Sequence, residues 1–162
     1  LEHNSVSVAE AGALLSLFAI LGLPAALIIP GLAVKYKRVQ APIIWFSSAM
    51  GMTGALGILW ADGAHLWIWV AALGLGPTMF PLALTLYNLR SRERSTVLAV
   101  SSFGQGMSYT MTTIIVFLVG VFREVTGGWE FALWMLFGVA LFSALMGIQI
   151  AKNHFVDDEL VH

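Results

Sequence analysis

Gln105, Tyr109 and Thr112 follow one another at spacings of four and three residues, which on a helix puts an amide, a phenol and a hydroxyl on one face. Gly104, Gly106 and Ser108 thin the surface beside them. Away from water, such neutral donors have two uses. They can hydrogen-bond to a neighbouring helix, which averages only about 0.6 kcal/mol between membrane helices. They can instead line a cavity and replace the lost hydration of a solute, an anion above all. From residue types alone both roles stay open. Upstream, Pro77 and Pro81 are also four apart. Each lacks an N–H, so a helix through this segment leaves the carbonyls of Leu73 and Pro77 without their usual donors. Such a break is tolerated at bilayer depth where protein or a water-filled cavity satisfies the backbone. It reads as a packing kink or as a gating hinge. Thr78, Met79, Phe80 and Thr85 surround it and could meet a solute; Phe80 reads first as core filler and second as a wall of the site.

Other chemistries lack their residues. The sequence has no cysteine, no GxSxG or HExxH pattern, no phosphate-binding glycine loop and no paired carboxylates on a helix. His3, His65, His154 and His162 are scattered toward interfaces and tails, and a metal needs convergent ligands. No catalytic residue, no metal and no cofactor are expected. Nor is there the basic face that nucleic acid requires.

The elements that must position the polar face follow from the charges. Of 162 residues 59% are apolar and only 10% charged, against about 25% charged in soluble domains. The charges cluster, leaving windows 11–34, 39–61, 66–89, 95–122 and 131–151 free of them. Each is long enough for the roughly 20 helical residues that cross a hydrocarbon core. The expected fold is all-α and integral to the membrane, with five transmembrane helices at about 8–33, 41–61, 65–88, 95–122 and 129–152 in one domain. Ser7 and Glu10 form a capping-box pattern at the first start, and Glu10 and Glu130 suit helix N-termini. Seven of the eight basic residues fall in the loops after the first and third spans and in the C-terminal tail. Lys and Arg stay cytoplasmic, which places the N-terminus outside and the C-terminus inside. Trp60, Trp67, Trp69 and Trp129 flank the outer turns as interfacial aromatics do. An odd number of spans starting outside, with no signal peptide, reads as part of a longer membrane protein.

Several stretches carry a resemblance. Gly31 opens a basic loop that includes Lys35, Lys37 and Arg38, similar to the glycine- and arginine-rich loop of the major facilitator superfamily. The series Gly74-Leu75-Gly76, Phe80-Pro81-Leu82-Ala83-Leu84-Thr85-Leu86, Leu89-Arg90, Ser101-Ser102-Phe103-Gly104-Gln105, Tyr109, Gly120 and Thr126-Gly127-Gly128-Trp129 resembles the C-terminal half of its cyanate/2-nitroimidazole-type anion transporter branch. That resemblance implies helices eight to twelve of a twelve-helix carrier, an incomplete half of the bundle. It implies secondary-active movement of a small anion or small polar organic solute by alternating access, in the bacterial inner (plasma) membrane. The implied partners are the lipid bilayer, the solute and the missing N-terminal helices of the same protein. The eleventh helix faces the pore in that superfamily, so Gln105, Tyr109 and Thr112 become cavity candidates with Thr78, Phe80, Thr85 and Ser16. Pro77 and Pro81 become hinge candidates, and Lys37 or Arg38 could brace a gate. Gly51, Gly54 and Gly57 in the second span, and Gly138, Ala140, Ala144 and Gly147 in the fifth, read as helix-packing surfaces. The alternative in another class is a non-transporting five-helix subunit that uses those surfaces to bind a partner.

Overall fold

The computed structural model describes residues 6–36, 40–60, 65–91 and 93–150. All of their regular structure is helical: α1 Val8–Lys35, α2 Gln40–Trp60, α3 Leu66–Leu75, a 3-10 turn Gly76–Thr78, α4 Met79–Leu89, α5 Arg94–Thr126 and α6 Glu130–Ile150. With α3, the turn and α4 counted as one span, five helical segments are long and apolar enough to cross a membrane.

Local chemistry explains the boundaries. At the start of α1 the Ser7 N–H donates to Glu10 Oε2 at 2.9 Å, and the Glu10 N–H donates to Ser7 Oγ at 3.2 Å. This reciprocal cap satisfies two backbone donors that a helix end otherwise leaves open. The end of α5 uses a glycine. Gly127 adopts φ 72°, a left-handed conformation that costs a residue with a Cβ, and its N–H closes on the Arg123 carbonyl at 3.0 Å. The Arg123 guanidinium also donates to the Gly127 carbonyl at 2.5 Å. The fourth span therefore runs to Thr126 before the chain reverses into α6.

Packing centres on α2, which lies against α6 on one side and α3 on the other. Glycines set both approaches. A Cβ at Gly54 would stand 2.7 Å from the backbone nitrogen of Leu73, and one at Gly57 would enter the Trp69 indole. On the α6 side a Cβ at Gly51 would meet Ala140 at 3.3 Å, and one at Gly147 the Trp45 indole nitrogen at 2.9 Å. Gly138 departs from the expectation for its group: nothing lies within 4 Å of where its Cβ would be. It sits on the exposed side of α6, two positions from the Ala140 contact. α1 packs on α3 and α4, where Gly74 lets the Phe18 carbonyl come within 2.9 Å of a would-be Cβ. Ile29, Ala33, Ile44, Leu82 and Leu86 form the buried cluster at one end of this group. α5 stands apart, with limited contacts to α4 and α6 and Thr96 as its one buried residue.

Candidate functional site

Three places gather polar side chains among the described helices. The first is the interruption in the third span. Pro77 cannot donate to Leu73, and the backbone responds by tightening: the Gly76 N–H takes the Leu73 carbonyl instead, opening a single 3-10 turn. Pro81 disturbs nothing further because it is the third residue of α4, where an N–H has no partner within the helix anyway. A neighbouring helix completes the break, with Ser47 of α2 donating its hydroxyl to the Gly76 carbonyl. Thr78 is 4% exposed and its hydroxyl has no partner among the described residues; Ser48, beside Ser47, is buried in the same unpartnered state. Thr85 is half-buried and turns its hydroxyl back onto the Pro81 carbonyl at 2.8 Å. Phe80 is 58% exposed, which removes it from the core. The inward face of α4 belongs to Leu82 and Leu86, and Phe80 lies two residues off that register. Pro77 is exposed and Pro81 half-buried.

The second place is α5. Gln105 is half-buried where Gly104 admits Tyr87 of α4, whose hydroxyl would come within 2.5 Å of a Cβ at that position. Tyr109 is 65% exposed, and Thr112 is exposed one turn further. The serine and threonine hydroxyls between them are occupied locally: Ser108 donates to the Gly104 carbonyl at 2.7 Å, Thr110 to Gly106 at 2.9 Å and Thr113 to Tyr109 at 2.9 Å. Among the described residues neither the Gln105 amide nor the Tyr109 phenol makes a hydrogen bond, to its own helix or to another. Ser16, on α1, is exposed and donates back to the Gly12 carbonyl at 2.9 Å. Among the described residues no hydrogen bond or ring stacking joins Ser16, Phe80, Gln105 and Tyr109 to one another.

The third place is the basic end. Gln40, 6% exposed at the start of α2, donates to the Ala33 carbonyl of α1 at 3.3 Å and accepts from Arg90 Nη2 at 3.5 Å. One side chain thus ties the end of α1, the start of α2 and the end of α4. Burial pushes the Arg90 guanidinium down from its usual value, yet arginine stays charged. Gly31 is exposed, as is Lys35, whose ammonium lies 5.3 Å from the centre of the Tyr36 ring. Lys37 and Arg38 lie outside the described residues. Gln40, Ser47 and Ser48 were not singled out by spacing; their signal was an amide beside a basic run and two adjacent hydroxyls inside an apolar window. No group of three His, Asp or Glu side chains converges on a metal-sized site among the described residues.

Nearly the whole chain aligns with two known proteins. An uncharacterized transporter of Bacillus subtilis (strain 168), YycB, is 27% identical over 159 residues, covering 96% of this chain and 39% of that protein. The 2-nitroimidazole transporter of Escherichia coli (strain K12) is 31% identical over 146 residues, covering 90% of this chain and 36% of that protein. The chain is similar to transporters. It spans well under half the length of either. No protein-family description matches it and no solved structure does. The transporter relatives and the five helices long and apolar enough to cross a membrane together fit a multi-pass membrane protein.

Proposed function

We propose that the chain forms helices eight to twelve of a secondary-active carrier of the major facilitator type, in the branch that carries small anions or small polar organic solutes. The carrier works by alternating access in the plasma membrane, with the N-terminal end of this segment outside. One observation carries the reading: α5 is a long apolar helix whose length is almost unburied, yet it holds an amide and a phenol without hydrogen-bond partners among the described residues. A helix facing only lipid has no use for such groups, since polar atoms in hydrocarbon are costly and are kept for pathways or protein contacts. The stripe of Gln105, Tyr109 and Thr112 then faces the solute path, with Thr78, Phe80, Thr85 and Ser16 as further lining. The 3-10 turn around Pro77 is the flexing point, and Gly31, Lys35, Lys37 and Arg38 brace the cytoplasmic side. A relative that moves 2-nitroimidazole supports a small polar solute.

The test is uptake by vesicles containing the full-length chain, supplied with 2-nitroimidazole and with small inorganic and organic anions. Saturable accumulation supports the proposal; none of these solutes moving leaves the partner-binding subunit as the better reading. Orientation is checked separately, because the sequence has no cysteine to give background. Asp62→Cys and Glu124→Cys should react with an impermeant thiol reagent from outside, and Lys37→Cys and Arg92→Cys should not. The reverse pattern would overturn the orientation.

A further inference from the structure

α4 and α6 both pack on α2 but make no extended contact with each other. Between them a half-open cleft of about 160 Å³ remains, floored by Ile44 of α2 and walled by Leu82, Ala83 and Leu86 of α4 and by Phe142 and Ser143 of α6. Phe142 is 62% exposed at its rim. Two of its sides continue by one helical turn to polar groups at the same end. Gln40 precedes Ile44 by four residues on α2. Arg90 follows Leu86 by four, its N–H donating to the Leu86 carbonyl at 2.9 Å. The two side chains meet there, Arg90 Nη2 donating to Gln40 Oε1 at 3.5 Å.

Size and chemistry narrow the occupant. A volume of about 160 Å³ is less than a single turn of another helix, about 10 Å across and 5.4 Å in pitch, would need. A small polar solute would need several convergent polar groups, and the lining offers one serine. Water does not fill apolar cavities. A flexible hydrocarbon chain fits, and a guanidinium one turn, about 5 Å, beyond the slot supplies the complement for a phosphate at headgroup level. The positive charge selects an anionic lipid. We propose that the α2–α4–α6 cleft is a binding site for one anionic phospholipid, with an acyl chain along Leu82 and Ala83 and its phosphate at Arg90 beside Gln40. The proposal rests on the membrane reading of the chain and not on transport, so a failed uptake assay leaves it standing.

Ala83→Cys places a thiol in the slot with a small change of volume, and Met107→Cys on the exposed α5 serves as the reference. The full-length protein is reconstituted in nanodiscs of phosphatidylcholine alone or with an equal share of phosphatidylglycerol, and alkylation by N-ethylmaleimide is timed. Relative to the reference, phosphatidylglycerol should slow reaction at position 83 at least threefold, and adding Arg90→Gln should abolish that difference. Equal relative rates in both lipids would overturn the proposal, whether because lipid never occupies the slot or because another part of the protein covers it. Protection reproduced by inorganic phosphate in phosphatidylcholine would also overturn it, assigning the arginine to a free anion.

Discussion

α2 and α5 are both apolar helices in the same chain, and they solve opposite problems. α2 meets α3 at Gly54 and Gly57 and α6 at Gly51, and its adjacent Ser47 and Ser48 are buried. α5 carries as many small residues, but Gly106 and Gly120 face open space, and Tyr109 and Thr112 are exposed with Gln105 half-buried beside them. Small residues in a membrane helix thus mean close packing in one case and access in the other. What separates them is whether another helix lies opposite the missing Cβ.

The largest effect should come from reversing that distinction. Gly54→Ala drives a methyl to 2.7 Å from the Leu73 backbone, where no side chain can swing aside. Overpacking of this kind costs about 1–3 kcal/mol or more, whereas Gly106→Ala and Gly120→Ala should stabilise their helix by up to about 1 kcal/mol. Thermal unfolding of the full-length protein in detergent reads both; similar midpoints for Gly54→Ala and Gly106→Ala would erase the contrast between the helices. Next in size are the outward groups of α5. Gln105→Leu and Tyr109→Phe should each lower transport by about tenfold or more if they donate to an anion, a loss of about 1.5–3 kcal/mol, with little change in unfolding. Uptake within twofold of wild type for both would assign the pair to packing against other helices.

The smallest effect separates two neighbours within α2. Ser47→Ala removes the donor to the Gly76 carbonyl and should destabilise by about 0.6 kcal/mol, the usual worth of such bonds between membrane helices. Ser48→Ala deletes a buried hydroxyl that has no partner among the described residues and should be neutral or stabilising. Equal losses would mean that the Ser48 hydroxyl has a bonding role of its own.

Much of the fold was legible because charge is excluded from bilayer-length segments whatever their packing. The five helical segments, the capping box at Ser7 and the interruption at Pro77 all follow from local chemistry. Pro24 and Pro30, however, sit inside α1 without ending it. Proline alone did not decide; at Pro77 a 3-10 turn forms with a serine of another helix bonded to it. That partner lies 29 residues away, and the Gln40–Arg90 pair spans 50, separations no local spacing encodes. The exposure of Phe80 was not legible for a related reason. In a segment that is apolar all round, periodicity does not tell the buried face from the lipid face.

The few attachments of α5 carry a mechanical consequence. Besides buried Thr96 near its start, the helix is held where Gly104 meets Tyr87 of α4 and where Phe122 stacks on Phe131 of α6 at 3.9 Å between ring centres. Two supports define a line, and the stretch between them is about 27 Å long. When α4 shifts its support sideways, that stretch pivots on the aromatic stack as a rigid rod, and displacement falls off linearly along it. For a shift of about 2 Å at Gly104, uniform helical rise delivers nearly all of it to Gln105, about 1.4 Å to Tyr109 and about 1.1 Å to Thr112. Motion of α4 thus reaches the three donors as a graded sweep, largest at the amide and smallest at the hydroxyl.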